Sequence, residues 1–292
     1  MRKTVTNQPV FTQAPLPFMG QKRRWNNEFK TAISTHFADC YTFVDLFGGS
    51  GLLSHFVRNV RPDAQIVYND FDGYTQRIEA IPTTNLILAE LRRITKDVPR
   101  HKAITGARRE QILDIIRKYD KRGFVDYITL STSILFSAKY ATSLAELEKQ
   151  TLYNTIRQND YTADNYLQGI TIVHQDYKDL FRRYQNDDGV CFLIDPPYLS
   201  TQATTYSCYW KLKDYLDVLH IHSTGQITFI SHPTRATSSN YATGYIKNII
   251  QQILSMEQHV LCKMHNSTTI LNIWTSCFIS ISINKKGGLH DK

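Results

Sequence analysis

The sequence predicts an α/β protein whose parallel sheet is interrupted by a long helical insertion. Three observations predict it. A short apolar run, YTFVDLF at 41–47, passes straight into the glycine cluster GGSG and then into LLSHFVRNV, whose apolar residues recur at helical spacing. A second strand-like run, QIVYND at 65–70, ends in acids and completes the strand, turn, helix, strand succession that opens parallel sheets. From Tyr74 to Gln168 the pattern changes to helical segments, TNLILAELRRI, REQILDIIRKY and VDYITLSTSILF, broken at Pro99, Gly106 and Gly123.

The flanking elements follow in order. Residues 1–14 are polar and expected to be mobile, and Asn26 to Phe37 has helical character. Beyond the insertion, ITIVHQDY at 170–177 returns to strand character and DLFRRYQ is a short helix. VCFLIDPPY at 190–198 is a buried strand stopped by two prolines. KLKDYLDVLHI at 211–221 is an amphipathic helix, ITFISH at 227–232 a strand, and a helix is expected near 244–255. HVLCKMH and NIWTSCFISISIN have the character of a closing hairpin.

The 292 residues suffice for one catalytic domain carrying an inserted smaller one. With 42% hydrophobic and 21% charged residues the chain has the balance of a folded protein rather than a disordered one. Its net charge of +8 is a weak pointer to an acidic partner, and its distribution is a stronger one. Between Arg77 and Arg122 lie twelve Lys or Arg against six acids, an excess of six that is most of the total. The five cysteines, at 40, 191, 208, 262 and 277, show no CxxC spacing, so no zinc or other metal site is expected. They fit buried free thiols in a reducing compartment. No apolar h-region opens the chain and no run of about 18 apolar residues occurs, so a cytoplasmic protein without a membrane partner is expected.

The strongest chemical signal is Ile194-Asp195-Pro196-Pro197-Tyr198. Two prolines remove two N–H donors and stiffen the loop, leaving its carbonyls free to accept. The Asp195 carboxylate and the Pro196 carbonyl can then face an –NH2 group, while Tyr198 offers a flat surface to a planar ring. An exocyclic aromatic amine is a poor nucleophile because its lone pair is delocalised. Accepting both of its hydrogens favours pyramidal nitrogen and frees that pair. A bare proline pair is usually just a turn, but the aliphatic strand before it and the aromatic after it favour chemistry.

Phe43-Val-Asp-Leu-Phe-Gly-Gly-Ser-Gly51 places glycines at a strand end, where a ligand can approach the backbone closely. The GGxG spacing is not a dinucleotide fingerprint, which argues against an oxidoreductase. Asp70 stands about twenty residues on, at the end of the next strand, where an acid suits ribose hydroxyls; Asp72 is its competitor. In PLPFMGQKRRW, Lys22 can reach a carboxylate and Phe18 can cover a ring.

Together these residues resemble the N6-adenine DNA methyltransferases of the DNA adenine methylase (D12) class. That family runs from an aromatic-x-G-G-K motif through F-x-G-x-G, an acid after the second strand, a target-recognition insertion and an acid–aromatic pair to DPPY. This chain has the elements in that order, departing at Gly20-Gln21-Lys22, where two glycines are usual, and in lacking an Asn- and Gly-rich stretch in the insertion. The resemblance implies a Rossmann-like S-adenosylmethionine-dependent methyltransferase fold with a mixed seven-stranded sheet. Residues 1–73 and 169–292 would form the catalytic domain and residues 74–168 a mainly helical target-recognition insertion gripping phosphates. Phe18 and Lys22 would hold the cofactor's methionine end, Phe47, Gly49 and Gly51 would line it, Asp70 would take the ribose, and Asp176 and Tyr177 would sit at its adenine. Asp195, Pro196, Pro197 and Tyr198 would hold a flipped target adenine for direct in-line methyl transfer in double-stranded DNA, with Asp195 also at the cofactor. A cognate restriction endonuclease is a further partner the resemblance admits. Two other readings remain open: a methyltransferase acting on cytosine N4 or an RNA base, and a non-catalytic DNA-binding protein on the same fold.

Overall fold

A computed structural model describes residues 10–23, 26–136, 139–196, 217 and 228–230. The chain divides into two compact units, residues 1–196 with 200–209, and residues 197–199 with 210–292.

The first unit is organised around parallel strands. Strand β1 (Thr42–Asp45) pairs in parallel with β2 (Gln65–Asn69) on one side and with β6 (Val190–Ile194) on the other, and β5 (Thr171–Val173) pairs in parallel with β2. Every residue of β1 and β6 is buried, and so are Ile66, Val67, Tyr68 and Asn69 of β2. Strands buried on both faces need continuous apolar runs, which is why TFV, IVY and VCFLI lack the alternation of a half-exposed strand. Helix α2 (Leu52–Val60) packs on β1 and β2, and helix α1 (Asn26–His36) packs on α2, with the Phe29 and Phe56 rings 6.1 Å apart between the two helices. Burying an aromatic or aliphatic side chain of this size stabilises by about 1.5–3 kcal/mol.

The segment from Tyr74 to Tyr153 is mainly helical: α3 (Tyr74–Glu79), α4 (Ile81–Ile94), α5 (Gly106–Asp120), α6 (Tyr127–Ile134) and α7 (Leu144–Glu148). Ile87, Leu88 and Leu91 of α4 pack with Ile112, Leu113 and Ile116 of α5 and Leu130 and Ile134 of α6, all buried. Asp126 caps α6 by accepting from the Thr129 amide at 3.0 Å, and it also holds Arg77 Nε at 3.0 Å in a buried ion pair. Two short strands the sequence does not announce, β3 (Ala103–Ile104) and β4 (Leu152–Tyr153), pair antiparallel and tie the stretch after α4 to the end of this segment.

Two expectations are corrected here. Residues 10–14 are not a loose lead-in: the Phe11 ring meets His55 and Tyr166 edge-on at 5.6 and 5.1 Å, and Ala14 is buried. The strand expected over 170–177 stops at Val173, and Asp176 instead caps helix α8 (Tyr177–Tyr184), accepting from the Lys178 amide at 2.8 Å. A strand-end acid that can serve a helix N-terminus ends extended structure early. Of the basic concentration, six residues are engaged in ion pairs: Arg77, Arg92, Arg108, Arg109, Arg117 and Lys118.

Of the second unit, Thr228–Ile230 is strand β7, within the run expected to be one, and Asp217 of the expected helix 211–221 is helical. The helix near 244–255 and the closing hairpin lie outside the described residues. Cys40 and Cys191 are both buried. Among the described residues no helix is long and apolar enough to cross a membrane.

Candidate functional site

Parallel neighbours carry their C-terminal ends to one edge, and in open α/β sheets ligands bind there. The β1–β6 register pairs Asp45 with Leu193, and the Leu46 amide continues it by donating to the Leu193 carbonyl at 3.1 Å. The glycine turn after Phe47 and the Asp195-Pro196 turn therefore leave the sheet side by side.

The glycine turn has a stereochemical reason for its residues. Gly49 and Gly51 lie at φ 49° and 71°, the left-handed region that side chains disfavour. At Gly48 the constraint is space, since a Cβ would stand 2.1 Å from the Tyr68 ring. The turn is propped from below by two phenols: Tyr68 donates to the Gly49 carbonyl at 2.8 Å and Tyr166 to the Ser50 carbonyl at 3.0 Å. Tyr166 is held in turn by His55, whose ring stacks on it at 4.8 Å. His55 accepts from the Phe11 amide through Nε2, so its Nδ1–H donates to the Tyr166 carbonyl. Burial holds that imidazole below its usual pKa, in keeping with a neutral ring used as a brace.

The N-terminal segment lies across this turn. The Phe18 ring would stand 3.1 Å from a Cβ at Gly49. Gln21, where a second glycine was the family norm, braces the segment instead. Its Oε1 accepts from the Ala14 amide at 3.0 Å and its Nε2 donates to the Phe18 carbonyl at 3.4 Å. Tyr74 exchanges two hydrogen bonds with the Leu16 backbone, and Arg77 donates to the Pro17 carbonyl at 2.7 Å, pinning the segment to α3. So held, Lys22 places Nζ 2.6 Å from Asp195 Oδ2, with side-chain exposures of 10% and 16%. Its Nζ also donates to the Gly20 carbonyl at 2.9 Å.

Beneath this ion pair is an acid the sequence reading passed over. Asp45 is the last residue of β1, and Ser54 on α2 donates to its Oδ2 at 2.8 Å. Burial pushes its carboxyl up to about 7; the charge of Asp195 adds to the rise, while the Ser54 bond and Lys22 oppose it. A carboxylate between Val44 and Leu46 in an otherwise aliphatic strand was the available signal.

Asp70 is buried at the end of β2. Its Oδ1 accepts from the Tyr74 amide at 2.6 Å and its Oδ2 from the Thr75 amide at 2.8 Å, so it anchors the start of α3. Thr75 Oγ1 also donates to Oδ2. The Tyr68 hydroxyl lies 3.0 Å from Oδ1 as well as 2.8 Å from the Gly49 carbonyl, and one proton serves both acceptors. Beside Asp70, the Phe71 and His174 rings stack nearly parallel at 5.6 Å, and the Asp70 carbonyl accepts from His174 Nδ1. Phe47 and Tyr177 bring their rings to 4.9 Å. The Asp176 carboxylate is exposed and turned to its own helix.

Phe18, Lys22, Gly49, Asp195 and, through Tyr68, Asp70 thus converge at one edge. Pro196 is buried, and Pro197 and Tyr198 lie outside the described residues. Asp45, Tyr68, Tyr74, Phe71 and His174 are the additions made by the structure.

Comparison with known proteins gives two findings. Residues 18–264 match the family model of the D12 class N6 adenine-specific DNA methyltransferases. A Haemophilus influenzae (strain ATCC 51907 / DSM 11121 / KW20 / Rd) protein, whose name calls it a methyltransferase and gives no substrate, is 37% identical over 240 residues, covering 78% of this chain and 79% of that one.

Proposed function

Because the chain belongs to the D12 class of N6 adenine-specific DNA methyltransferases, we propose that it moves a methyl group from S-adenosylmethionine to N6 of an adenine in double-stranded DNA. The observation that carries this reading is the Lys22–Asp195 pair at the shared edge of β1 and β6, beside the glycine turn. An ammonium and a carboxylate in one half-buried place suit an amino-acid zwitterion, whose carboxylate can take Lys22 and whose ammonium can meet Asp195. The donor set therefore fits the cofactor's methionine end.

When bound, that cofactor supplies an electrophilic methyl group on a sulfonium. The chain's residues do the rest by placement. Gly49 and Gly51 let a ligand lie against the backbone of the turn, and Phe18 covers it. Asp70 takes the ribose: a ribose hydroxyl can donate to Oδ1 while Tyr68 turns its proton wholly to the Gly49 carbonyl, so no buried group is left unpaired. Tyr177 with Phe47, and Phe71 with His174, offer planar walls for the cofactor's adenine, with Asp176 at the head of the same helix as Tyr177.

Asp195 and the Pro196 carbonyl accept the two hydrogens of the target amine, and Pro197 and Tyr198 complete the pocket. Asp195 need not be a strong base, because the N6 proton becomes acidic only once nitrogen bears positive charge. The adenine reaches this pocket by leaving the duplex stack, at a cost of a few kcal/mol. The proposed architecture is a seven-stranded mixed sheet built from residues 1–73 and 169–292, with 74–168 inserted to recognise the target.

The test is methyl transfer from labelled cofactor to unmethylated duplex DNA, followed by digestion to nucleosides. N6-methyl-2′-deoxyadenosine is the expected product; N4-methyl-2′-deoxycytidine in its place would refute the adenine reading. Asp195→Ala should lower turnover at least about a hundredfold, the scale set by loss of one preorganised polar group at a reacting centre. Near-normal turnover in that variant would refute the pocket.

A further inference from the structure

The twelve basic side chains between Arg77 and Arg122 are not equivalent. Six are neutralised by acids of the same unit, among them Arg108 on Asp97 at 2.8 and 2.9 Å, and Arg117 on Asp114 and Glu148 at 2.9 and 2.7 Å. Among the described residues, Arg93, Lys96, Arg100, Lys102, Lys121 and Arg122 make no ion pair. The last two follow the C-terminus of α5, about 22 Å along that helix from its start. The other four lie in one ten-residue stretch running from the last turn of α4 to the start of β3, all exposed, and the only acid within it, Asp97, is already taken by Arg108.

This stretch has a built shape. The Val98 amide donates to the Thr95 carbonyl at 2.9 Å and the Lys102 amide to the Pro99 carbonyl at 3.3 Å. Asn154, buried beside β4, grips the turn at three points. Its Nδ2 donates to the Val98 carbonyl at 2.6 Å, its amide donates to the Lys102 carbonyl at 2.9 Å, and its carbonyl accepts the His101 amide at 2.9 Å. Between these anchors His101 is held at φ 63°, a conformation uncommon for a residue with a Cβ. Arg100 donates to the Ile156 carbonyl, leaving the rest of its fork exposed. Unpaired cations on a preorganised turn, with local acids already spent on structure, match a ligand that presents a row of negative charges at fixed spacing.

We propose that the turn from Arg93 to Lys102 is the part of the 74–168 segment that docks on the DNA backbone. Arg93, Lys96, Arg100 and Lys102 contact phosphates, and the paired arginines of α4 and α5 hold the segment together instead. This rests on the proposed action on duplex DNA and narrows it to one surface. Phosphate contacts release counterions, so each contact steepens the fall of affinity with salt by about 0.9 in the log–log slope.

The experiment measures binding of the full chain to a labelled duplex by fluorescence anisotropy over a salt series. The variant Arg93→Gln/Lys96→Gln/Arg100→Gln/Lys102→Gln should lose about 3 to 4 from the slope while binding S-adenosylmethionine as the parent does. Lys121→Gln/Arg122→Gln, at the far end of α5, should keep the parental slope. A quadruple variant with the parental slope, or a slope lost equally in the double variant, would overturn the assignment and leave the methyltransferase reading standing. A parent chain with no salt-dependent duplex binding would sink both.

Discussion

Lys22 Nζ stands 2.6 Å from Asp195 Oδ2, joining the segment before α1 to the turn after β6 across the helical segment between them. The two groups pair with each other, and in the proposed function a zwitterion that enters between them gives each a new partner.

Lys22→Gln removes the cation that faces Asp195. Losing a charge-assisted contact to the cofactor's carboxylate should raise its Kd about tenfold or more, since such bonds contribute about 1.5–3 kcal/mol. Calorimetric titration with S-adenosylmethionine measures this. An unchanged Kd would remove Lys22 from the site.

Asp45 makes stability depend on pH. Its carboxyl is raised to about 7 by burial, reinforced by the charge of Asp195. A group whose folded pKa lies above its unfolded value contributes stability that is complete below the unfolded value, near 3.8, and lost as pH rises through about 7. Asp45→Asn cannot ionise and escapes that loss while keeping an acceptor for Ser54. Urea unfolding at intervals from pH 4 to pH 8 should show the variant gaining on the parent across the series. A constant difference would show that Asp45 does not titrate in this range.

Two glycines separate space from backbone freedom. Gly73 is at φ 68° with nothing within 4 Å of a Cβ, so Gly73→Ala should cost only the left-handed penalty of about 1–2 kcal/mol. At Gly48 a Cβ would sit 2.1 Å from the Tyr68 ring and 2.8 Å from the Asn69 carbonyl. Gly48→Ala should therefore cost more than Gly73→Ala, with about 1–3 kcal/mol from overpacking or displacement of Tyr68. Thermal or urea unfolding compares them, and equal losses would mean that Tyr68 yields freely.

Much of this site is visible in one dimension. The proline pair after Ile194, the glycines after Phe47 and the acid at 70 each follow a continuous apolar run, and such runs end where buried strands end. The helices α4 and α5 are equally plain, because Ile87, Leu91, Ile112 and Ile116 sit at helical spacing on faces that must be buried. What periodicity misses is made by partners distant in sequence. Tyr68 matters because its hydroxyl reaches Gly49, and Asn154 because three groups of one turn converge on it. A short strand such as β3 exists only because β4 is there to pair with it.

Charge shows the same division. The sequence holds twelve cations between Arg77 and Arg122, and only packing reveals that Arg117 meets Glu148, thirty-one residues away, while Arg93 meets no acid among the described residues. An ion pair is set by distances of a few ångströms, which chain position does not encode beyond neighbouring helical turns.

The amino-acid order alone determined the reactive groups, the strand ends that carry them and the family the chain belongs to, because these are local properties of residue type and spacing. The tertiary structure decided that β1 and β6, separated by more than a hundred residues, lie side by side with Asp45 opposite Leu193. It also decided that Asp45 is buried beneath Lys22 and Asp195, and which cations remain open to an outside anion. Those outcomes depend on strand register and helix packing, where energies from many distant contacts select one arrangement.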